Sequence, residues 1–478
     1  SCRDGQPANL QGIWSWEVRP PWSANWTTNI NTPMNYWAAE PTNLSACHQT
    51  LFSWLAGLVS SGTRTARTHY GARGYCIHHN VDLWAMTTPA NGNAVWAFWP
   101  MAGVWFCHHL YEHYQYTNDR DFLRETAVPL MRGSVLFCLD WLIPDGQGRY
   151  VTNPSTSPEC SFFDENGAVT GVSCASAMDM TLIRELFGNY LEACGVLGLE
   201  DVLCADIRDR LKNLIPYTIR EDGRLCEWSR EHTEAEPGHR HLSHLYGIYP
   251  GSLFFEDSTL YEAAEKAFRG RLVEENGYVG WSLVWRLAIA ARFRDKELAQ
   301  SLLDDLLGKV TAPNLFDIYR PGGVKTVIED AHTAVSREEP SWFQIDANLG
   351  APGAMTELLL QCHRGWVEFL PCLPVSWSTG YIRGLRARGD VEIDLYWQDG
   401  RLTEAHVRAG GRFDEEKPLQ LVYNGSTCML PCKRGEHYRI RYIEKTKGEK
   451  AFYVEKIGNP VGVLSSAGHD RLQPAARA

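Results

Sequence analysis

Asn25-Trp26-Thr27-Thr28-Asn29-Ile30-Asn31-Thr32-Pro33-Met34-Asn35-Tyr36-Trp37 crowds uncharged amides between large aromatic rings. An amide offers both a donor and an acceptor. Trp and Tyr offer an apolar face to the C–H side of a pyranose with a polar edge beside it, so the run suits a sugar pocket. The same residues also make a turn-rich loop closed by core aromatics, because Asn is a common turn former. Cleaving a sugar requires two carboxyl groups flanking the bond, one protonated as acid and one ionised as base or nucleophile. With 57 acidic residues in the chain, position has to choose among them. Glu159 closes the hydroxyl-rich loop Thr152-Asn153-Pro154-Ser155-Thr156-Ser157-Pro158, where a proline fixes the backbone just before the carboxyl. A glutamate at a helix N-terminus after proline is the competing account. Asp346 lies in Ser341-Trp342-Phe343-Gln344-Ile345-Asp346-Ala347-Asn348-Leu349-Gly350, among apolar and aromatic neighbours. A carboxylate buried there costs several kcal/mol unless partnered. Capping a helix from about residue 350 is the alternative, and Asn348 is the better cap. Asp179 fits the third position of a helix start better than a catalytic role.

His239-Arg240-His241-Leu242-Ser243-His244 spaces three histidines by two and three. That invites a zinc reading, but no acidic ligand stands at HExxH-like spacing. A loop presenting Arg240 and His241 to sugar hydroxyls, with the other histidines hydrogen-bonded structurally, accounts for it better. His78-His79-Asn80-Val81-Asp82-Leu83-Trp84 repeats the style, with Trp84 as a stacking face. Among the 14 cysteines, Cys107, Cys138 and Cys194 sit in apolar helical patterns, where a free thiol acts as a small hydrophobe. A chain this large needs no disulfide staples, so the thiols are read as reduced, which favours a cytoplasmic setting. Cys428 and Cys432 lack a second close pair to complete a zinc site. No metal and no cofactor is expected.

The elements that must position these groups are mostly helical. A chain of 478 residues, 44% hydrophobic and 22% charged, has globular composition and can bury a large core. A net charge of −11 argues against a nucleic-acid partner, and the longest apolar run, Ala94 to Cys107, is too short to span a bilayer. From about 45 to 365 the periodicity is helical, with patterns over 121–142, 177–196, 199–214, 259–270, 281–294, 297–307 and 350–362. Asp119, Ser176 and Asp257 or Ser258 mark helix starts. Helix after helix excludes a βα barrel and predicts helical hairpins stacked into a closed or open toroid. Past Trp366 the pattern alternates, as in Val391-Glu392-Ile393-Asp394-Leu395-Tyr396-Trp397, predicting an antiparallel β module. The expected organisation is a helical barrel over 1–365, a β-sandwich over 366–443, and a tail over 444–478 whose last fifteen or so residues are disordered. The chain opens on Ser1 rather than Met and reads as cut at its N-terminus, so any export signal is illegible.

These blocks together resemble glycoside hydrolase family 95, the inverting α-L-fucosidases and α-L-galactosidases. The resemblance is carried by Pro7 to Trp14, Asn29 to Trp37, His78 to Trp84, Trp99-Pro100-Met101, Ser157-Pro158-Glu159, His239 to Gly251, Gly280-Trp281-Ser282 and Phe343 to Gly350, in that order. It implies an (α/α)6 toroid followed by a small antiparallel β-sandwich, with a large N-terminal β domain missing here. It also implies that Glu159 is the general acid, that Asp346 is the base, and that Asn29 and Asn31 hold the attacking water. Arg240 and His241 match sugar-binding positions, and the substrate would be an oligosaccharide or glycoconjugate. Thr27 matches a position that tends to be His in fucose-preferring members and Thr in those accepting L-galactose. Inversion needs a carboxyl separation of roughly 6.5–9.5 Å to admit the water. Residues 318–342 are longer than usual for the family, as an inserted loop that caps the pocket or selects the aglycone, and Ala347 stands where Gly is common. A phosphorylase would replace the base with a phosphate cluster, a lyase would show a Tyr or His base, and a degenerate sugar-binding protein would lack one carboxylate.

Overall fold

The computed structural model describes residues 5–15, 17–272, 279–319, 324–330, 333–339, 342–444, 450–457, 462–463 and 473–474, with backbone alone at 324–330, 333–339, 444, 450, 462–463 and 473–474. Nine helices longer than ten residues occur among the described residues: α1 (Ser45–Tyr70), α2 (Ala102–Thr117), α3 (Val128–Trp141), α4 (Ala177–Leu197), α5 (Leu203–Asn213), α6 (Ser258–Gly270), α7 (Gly280–Arg292), α8 (Lys296–Lys309) and α9 (Ile345–Leu359). They build the mainly α (α/α)6 toroid that the sequence predicts, and a small strand-rich module follows. The expected caps form. Asp119 accepts from the N–H groups of Asp121 and Phe122, Ser176 from Asp179, and Asp257 from Thr259 and Leu260. Each such cap stabilises its helix by about 1 kcal/mol.

Helix α7 is buried at every position from Gly280 to Arg292, as befits a helix apolar on most of its surface. Its Arg292 is neutralised by Glu357 of α9 through bonds of 2.7 and 2.8 Å. Helix α9 departs from expectation. It starts at Ile345 rather than about 350 and ends at Leu359, with Gln344 as a cap that makes no side-chain bond. Asn348 therefore does not cap it. From inside the first turns, its Oδ1 accepts from the Asp317 N–H at 2.9 Å and its Nδ2 donates to the Leu315 carbonyl at 2.7 Å. Pro352 lies within the helix rather than in its first turn, and its missing N–H forfeits only the bond to the carbonyl four residues back.

Two glycines let α9 press against the amide-rich segment. A Cβ on Gly350 would fall 2.4 Å from Met34 Cγ, and one on Gly353 would fall 2.8 Å from the Trp37 carbonyl carbon. Close approach here carries Asp346 to Asn31. Trp26 and Trp37, 4% and 3% exposed, belong to the core rather than to a pocket wall. Of the expected insertion, Ile318–Tyr319 pairs antiparallel with Trp342–Phe343, and Val324–Asp330 with Thr333–Glu339. Gly322 and Gly323 lie outside the described residues.

The C-terminal strands form two sheets. One contains Leu360–Gln361, Val367–Phe369, Leu419–Tyr423 and Ser426–Leu430, in that order; the other has seven strands beginning with Gly380–Ala387, Val391–Gln398 and Arg401–Ala409. Val367–Phe369 runs parallel to Leu419–Tyr423, the exception to the antiparallel expectation. The larger sheet continues beyond residue 443. Lys450–Lys456 pairs with His437–Glu444 and buries Ala451, Phe452 and Val454, so part of the stretch expected as tail is core-bearing strand. Of the last fifteen residues, only the backbone of Gln473–Pro474 is described. Barrel and sandwich share one apolar core and are tied by backbone bonds from Arg386 to Pro41, Gly389 to Gln115 and Asp390 to Tyr116. The thirteen described cysteines are free thiols. No helix among the described residues is long and apolar enough to cross a membrane.

Candidate active site

Chain segments far apart in sequence meet around two carboxyl groups. The first is Glu159. Its loop is held by the two-residue pairing of Ser155–Thr156 with Val172–Ser173 and by Ser243 Oγ, which donates to the Pro158 carbonyl. Arg240 Nη2 donates to Glu159 Oε2 at 2.6 Å, and His241 Nε2 lies 3.4 Å from the same oxygen. Asn29 Nδ2 donates to Oε1 at 3.2 Å. The second is Asp346, fully buried in the first turn of α9. It accepts from Asn31 Nδ2 and from the Ala347 N–H, the latter at 2.8 Å. Each carboxyl thus holds one amide of the Asn29–Asn31 pair. Asn29 Oδ1 is buried and has no hydrogen-bond partner among the described residues.

The supporting residues are fixed locally. Trp26–Thr27 pairs with Asn80–Val81, the Thr28 N–H donates to the His79 carbonyl at 2.7 Å, and Thr28 Oγ1 donates to the His78 carbonyl at 2.9 Å. Thr27 Oγ1 reaches Asn80 Oδ1 at 3.4 Å. His241 stacks on His239 at 5.3 Å between ring centroids and meets the Trp281 ring edge-on at 4.6 Å. His244 instead sits 2.6 Å from Glu227, and His78 is occupied by Tyr70 and the Thr87 carbonyl. Trp84 stands 88% exposed on an Asx turn made by Asp82 and has no ring contact among the described residues. Asp179 serves helix α4 and the Glu159 loop: it accepts from Trp99 Nε1, Thr152 Oγ1 and Ser155 Oγ.

The fold treats the two carboxyls oppositely. Burial pushes the Glu159 carboxyl up, but His241, Arg240 and His239 outweigh it and hold the group well below the usual carboxylate range. Burial raises Asp346 to about 6, although Asn31 and the Ala347 N–H pull the other way. Burial likewise pushes His79 down to about 4, so it faces Glu159 as a neutral ring at pH 7. Asp317 was not singled out from sequence. It is 2% exposed, neither carboxyl oxygen has a hydrogen-bond partner among the described residues, and burial together with the charge of Asp346 pushes it well up. The one signal pointing to it is the one that marked Asp346, an acidic residue set between apolar neighbours in Phe316-Asp317-Ile318.

Among the described residues one cluster has metal-donor atoms within reach of one another: Glu40, His48 and His113. Glu40 Oε1 lies 2.8 Å from His48 Nδ1 and 2.7 Å from His113 Nδ1, and Ser45 Oγ donates to the other oxygen. Those contacts are hydrogen bonds to an ionised carboxylate that these histidines, against the opposing effect of burial, lower to about 2.

The family model for the glycosyl hydrolase family 95 catalytic domain matches residues 1–359, and that for the family's C-terminal domain matches 361–449. The chain belongs to glycoside hydrolase family 95. It is 38% identical over 441 residues to alpha-L-fucosidase 2 of Arabidopsis thaliana, covering 91% of this chain and 50% of that protein. It is 31% identical over 430 residues to a probable alpha-fucosidase A of Aspergillus niger, covering 85% and 51%. The chain therefore spans about half the length of these curated relatives. A putative kojibiose phosphorylase from the human microbiome shares the fold, with TM-score 0.54 and 8% identity over 92% of this chain and 63% of that one. Family membership agrees with the blocks from which the sequence resemblance was drawn.

Proposed function

We propose that this family 95 chain carries the catalytic site of an inverting exo-glycoside hydrolase that releases terminal α-L-fucose or α-L-galactose from glycans. The observation that carries the reading is the pair Glu159 and Asp346, each joined to one amide of Asn29 and Asn31. The fucosidase names of the relatives support the substrate class. In the mechanism, Glu159 protonates the departing glycosidic oxygen. Asp346 orients Asn31, and the amide oxygens accept from a water that attacks the opposite face of C1. A carboxamide is a weak base alone, so the carboxylate behind it supplies the basicity through the hydrogen-bond chain. Arg240 and His241 bind sugar hydroxyls, Trp84 offers a face to the aglycone, and Thr27 leaves room for the C6 hydroxyl of L-galactose.

This division of labour requires a proton on Glu159 and a charge on Asp346, the reverse of the resting preference. Glu159 is held well below the usual carboxylate range while burial raises Asp346 to about 6, so among the singly protonated forms that one is the minority. Substrate hydroxyls that draw Arg240 and His241 away from Glu159 raise its proton affinity and restore the needed form. A second reading is favoured by the resting preference itself, with Asp346 as proton donor and Glu159 activating the water. The test is hydrolysis by the wild type and Glu159→Gln, with the released anomer followed by NMR and activity compared on phenyl α-L-fucoside and α-L-fucosyl fluoride. Inversion is expected, with the variant failing on the phenyl glycoside but spared on the fluoride. Retention, or an undiminished variant, rejects the mechanism; loss on both substrates, with Asp346→Asn sparing the fluoride, selects the second reading.

A further inference from the structure

Beneath the acid loop lies a buried ionic cluster that the proposed mechanism does not use. Glu227, 3% exposed, accepts from Ser157 Oγ and from Arg271 Nη2 at 2.7 Å, and its carboxylate lies 2.6 Å from His244 Nδ1. Its backbone carbonyl accepts from the Ala177 N–H at 2.9 Å, the start of α4. Ser157, His244 and Arg271 are themselves 0%, 3% and 3% exposed. Arg271 spends its other arm on Glu234 and on the carbonyls of Glu236, at 3.3 Å, and Pro237, at 2.7 Å. The cluster therefore grips both chain segments that converge on Glu159: Ser157, two residues before the carboxyl, and the strand of chain leading into His239, Arg240 and His241.

We infer that Glu227 is a positioning residue for proton donation: through Ser157 on one side and Arg271 and His244 on the other, it fixes where the Glu159 carboxyl points relative to Arg240 and His241. The inference rests on Glu159 as the proton donor. Burying a carboxylate here would cost several kcal/mol unpaired. His244 and Arg271 overcome the effect of burial and keep it ionised well below the usual carboxylate range. Charge-assisted bonds of this kind are shorter and stronger than neutral ones. A one-ångström shift in a positioned group costs on the order of a hundredfold in rate, so loss of this anchor falls on the step that needs the acid.

The experiment is Glu227→Gln in the full-length protein, assayed on phenyl α-L-fucoside, whose leaving group needs protonation, and on α-L-fucosyl fluoride, whose leaving group needs little. The expected result is a fall in kcat of about a hundredfold on the phenyl glycoside, KM within about twofold, and a much smaller fall on the fluoride. Equal losses on both substrates mean a merely structural role and overturn the inference. Ser157→Ala removes only the hydroxyl link and leaves Glu227 beside Arg271 and His244, so it stands in should Glu227→Gln fold poorly. It is expected to lose about tenfold with the same split, and wild-type behaviour in it also overturns the inference. Glu159→Gln run alongside separates the two levels. If it lacks the split, the donor assignment falls and this inference with it; if it shows the split and the Glu227 and Ser157 variants do not, only the positioning role falls.

Discussion

Asp346 offers a prediction in which stability and activity move in opposite directions. Its carboxyl is fully buried, and burial lifts it from 3.8 to about 6. A folded-state pKa raised above the unfolded value means that the folded protein binds the proton more tightly. Stability is then fully present below pH 4, declines as pH rises toward 6, and is level beyond it. The displacement of about 2 pH units corresponds to about 3 kcal/mol at roughly 1.4 kcal/mol per unit, lost whenever Asp346 is ionised. Asp346→Asn removes that loss. It also forfeits one of the two bonds from Asn31 and Ala347, since the single carbonyl oxygen of Asn accepts where two carboxylate oxygens did, at about 1 kcal/mol. The variant is therefore expected to be more stable than wild type by about 2 kcal/mol at pH 7 and less stable by about 1 kcal/mol at pH 4. Urea unfolding of both proteins at steps from pH 4 to 8 measures the difference, and subtracting one curve from the other cancels the titration of Asp179 and other shared groups. Hydrolysis should be lost at every pH. A stability difference independent of pH would refute the claim that Asp346 is held against its ionisation.

Arg240→Met removes the cation 2.6 Å from Glu159; the proton affinity of the carboxyl should rise, seen as an upward move of the alkaline limb of kcat, with KM increased through the lost sugar contact. Gly353→Ala places a methyl 2.8 Å from the Trp37 carbonyl carbon and should cost about 1–3 kcal/mol in urea unfolding, with activity falling as α9 and Asp346 are pushed away from Asn31. Thr27→His should lower the ratio of kcat/KM for aryl α-L-galactoside over aryl α-L-fucoside by about tenfold, near 1.4 kcal/mol; an unchanged ratio would remove Thr27 from substrate choice. Asp317→Asn should leave the pH profile of hydrolysis in place, because burial and the charge of Asp346 push this carboxyl, without hydrogen-bond partners among the described residues, toward its neutral form. A downward move of the acidic limb in that variant would show Asp317 ionised.

The helical half of the fold was legible because its signals are local: apolar periodicity, and caps such as Asp119, Ser176 and Asp257 that bond within their own first turn. Glu159, Asp346, Arg240 and His241 stood out through their flanking prolines and aromatics and through the family blocks. What the sequence hid depends on distant partners. Asn348 looked like a cap, but packing of Gly350 and Gly353 against Met34 and Trp37 extends α9 past it and turns its amide to residues 315–317. Glu227, in Cys226-Glu227-Trp228, carries no local mark beyond apolar neighbours, because the groups that meet its carboxylate come from Ser157, His244 and Arg271. The strand Lys450–Lys456 was masked by the lysines around it, although Phe452 and Val454 already alternate as one buried face.

When two carboxyl groups share a site, environments that push their pKa values apart ordinarily reveal which is acid and which is base. Here the apolar start of α9 favours the proton on Asp346, while Arg240, His241 and Asn29 favour charge on Glu159. On the proposed roles the resting enzyme is therefore poised in the wrong ionisation state, and the bound sugar has to exchange the two. A neutral pyranose can do so without adding charge, because its hydroxyls offer Arg240 and His241 acceptors that compete with the Glu159 carboxylate. An acidic sugar would instead bind Arg240 as an ion pair and bring a second carboxylate against Glu159. Bell-shaped rate profiles look alike for either ordering of the two pKa values. The dependence of rate on leaving group in Glu159 and Asp346 variants is what distinguishes them, since only the true donor becomes dispensable when the leaving group needs no proton.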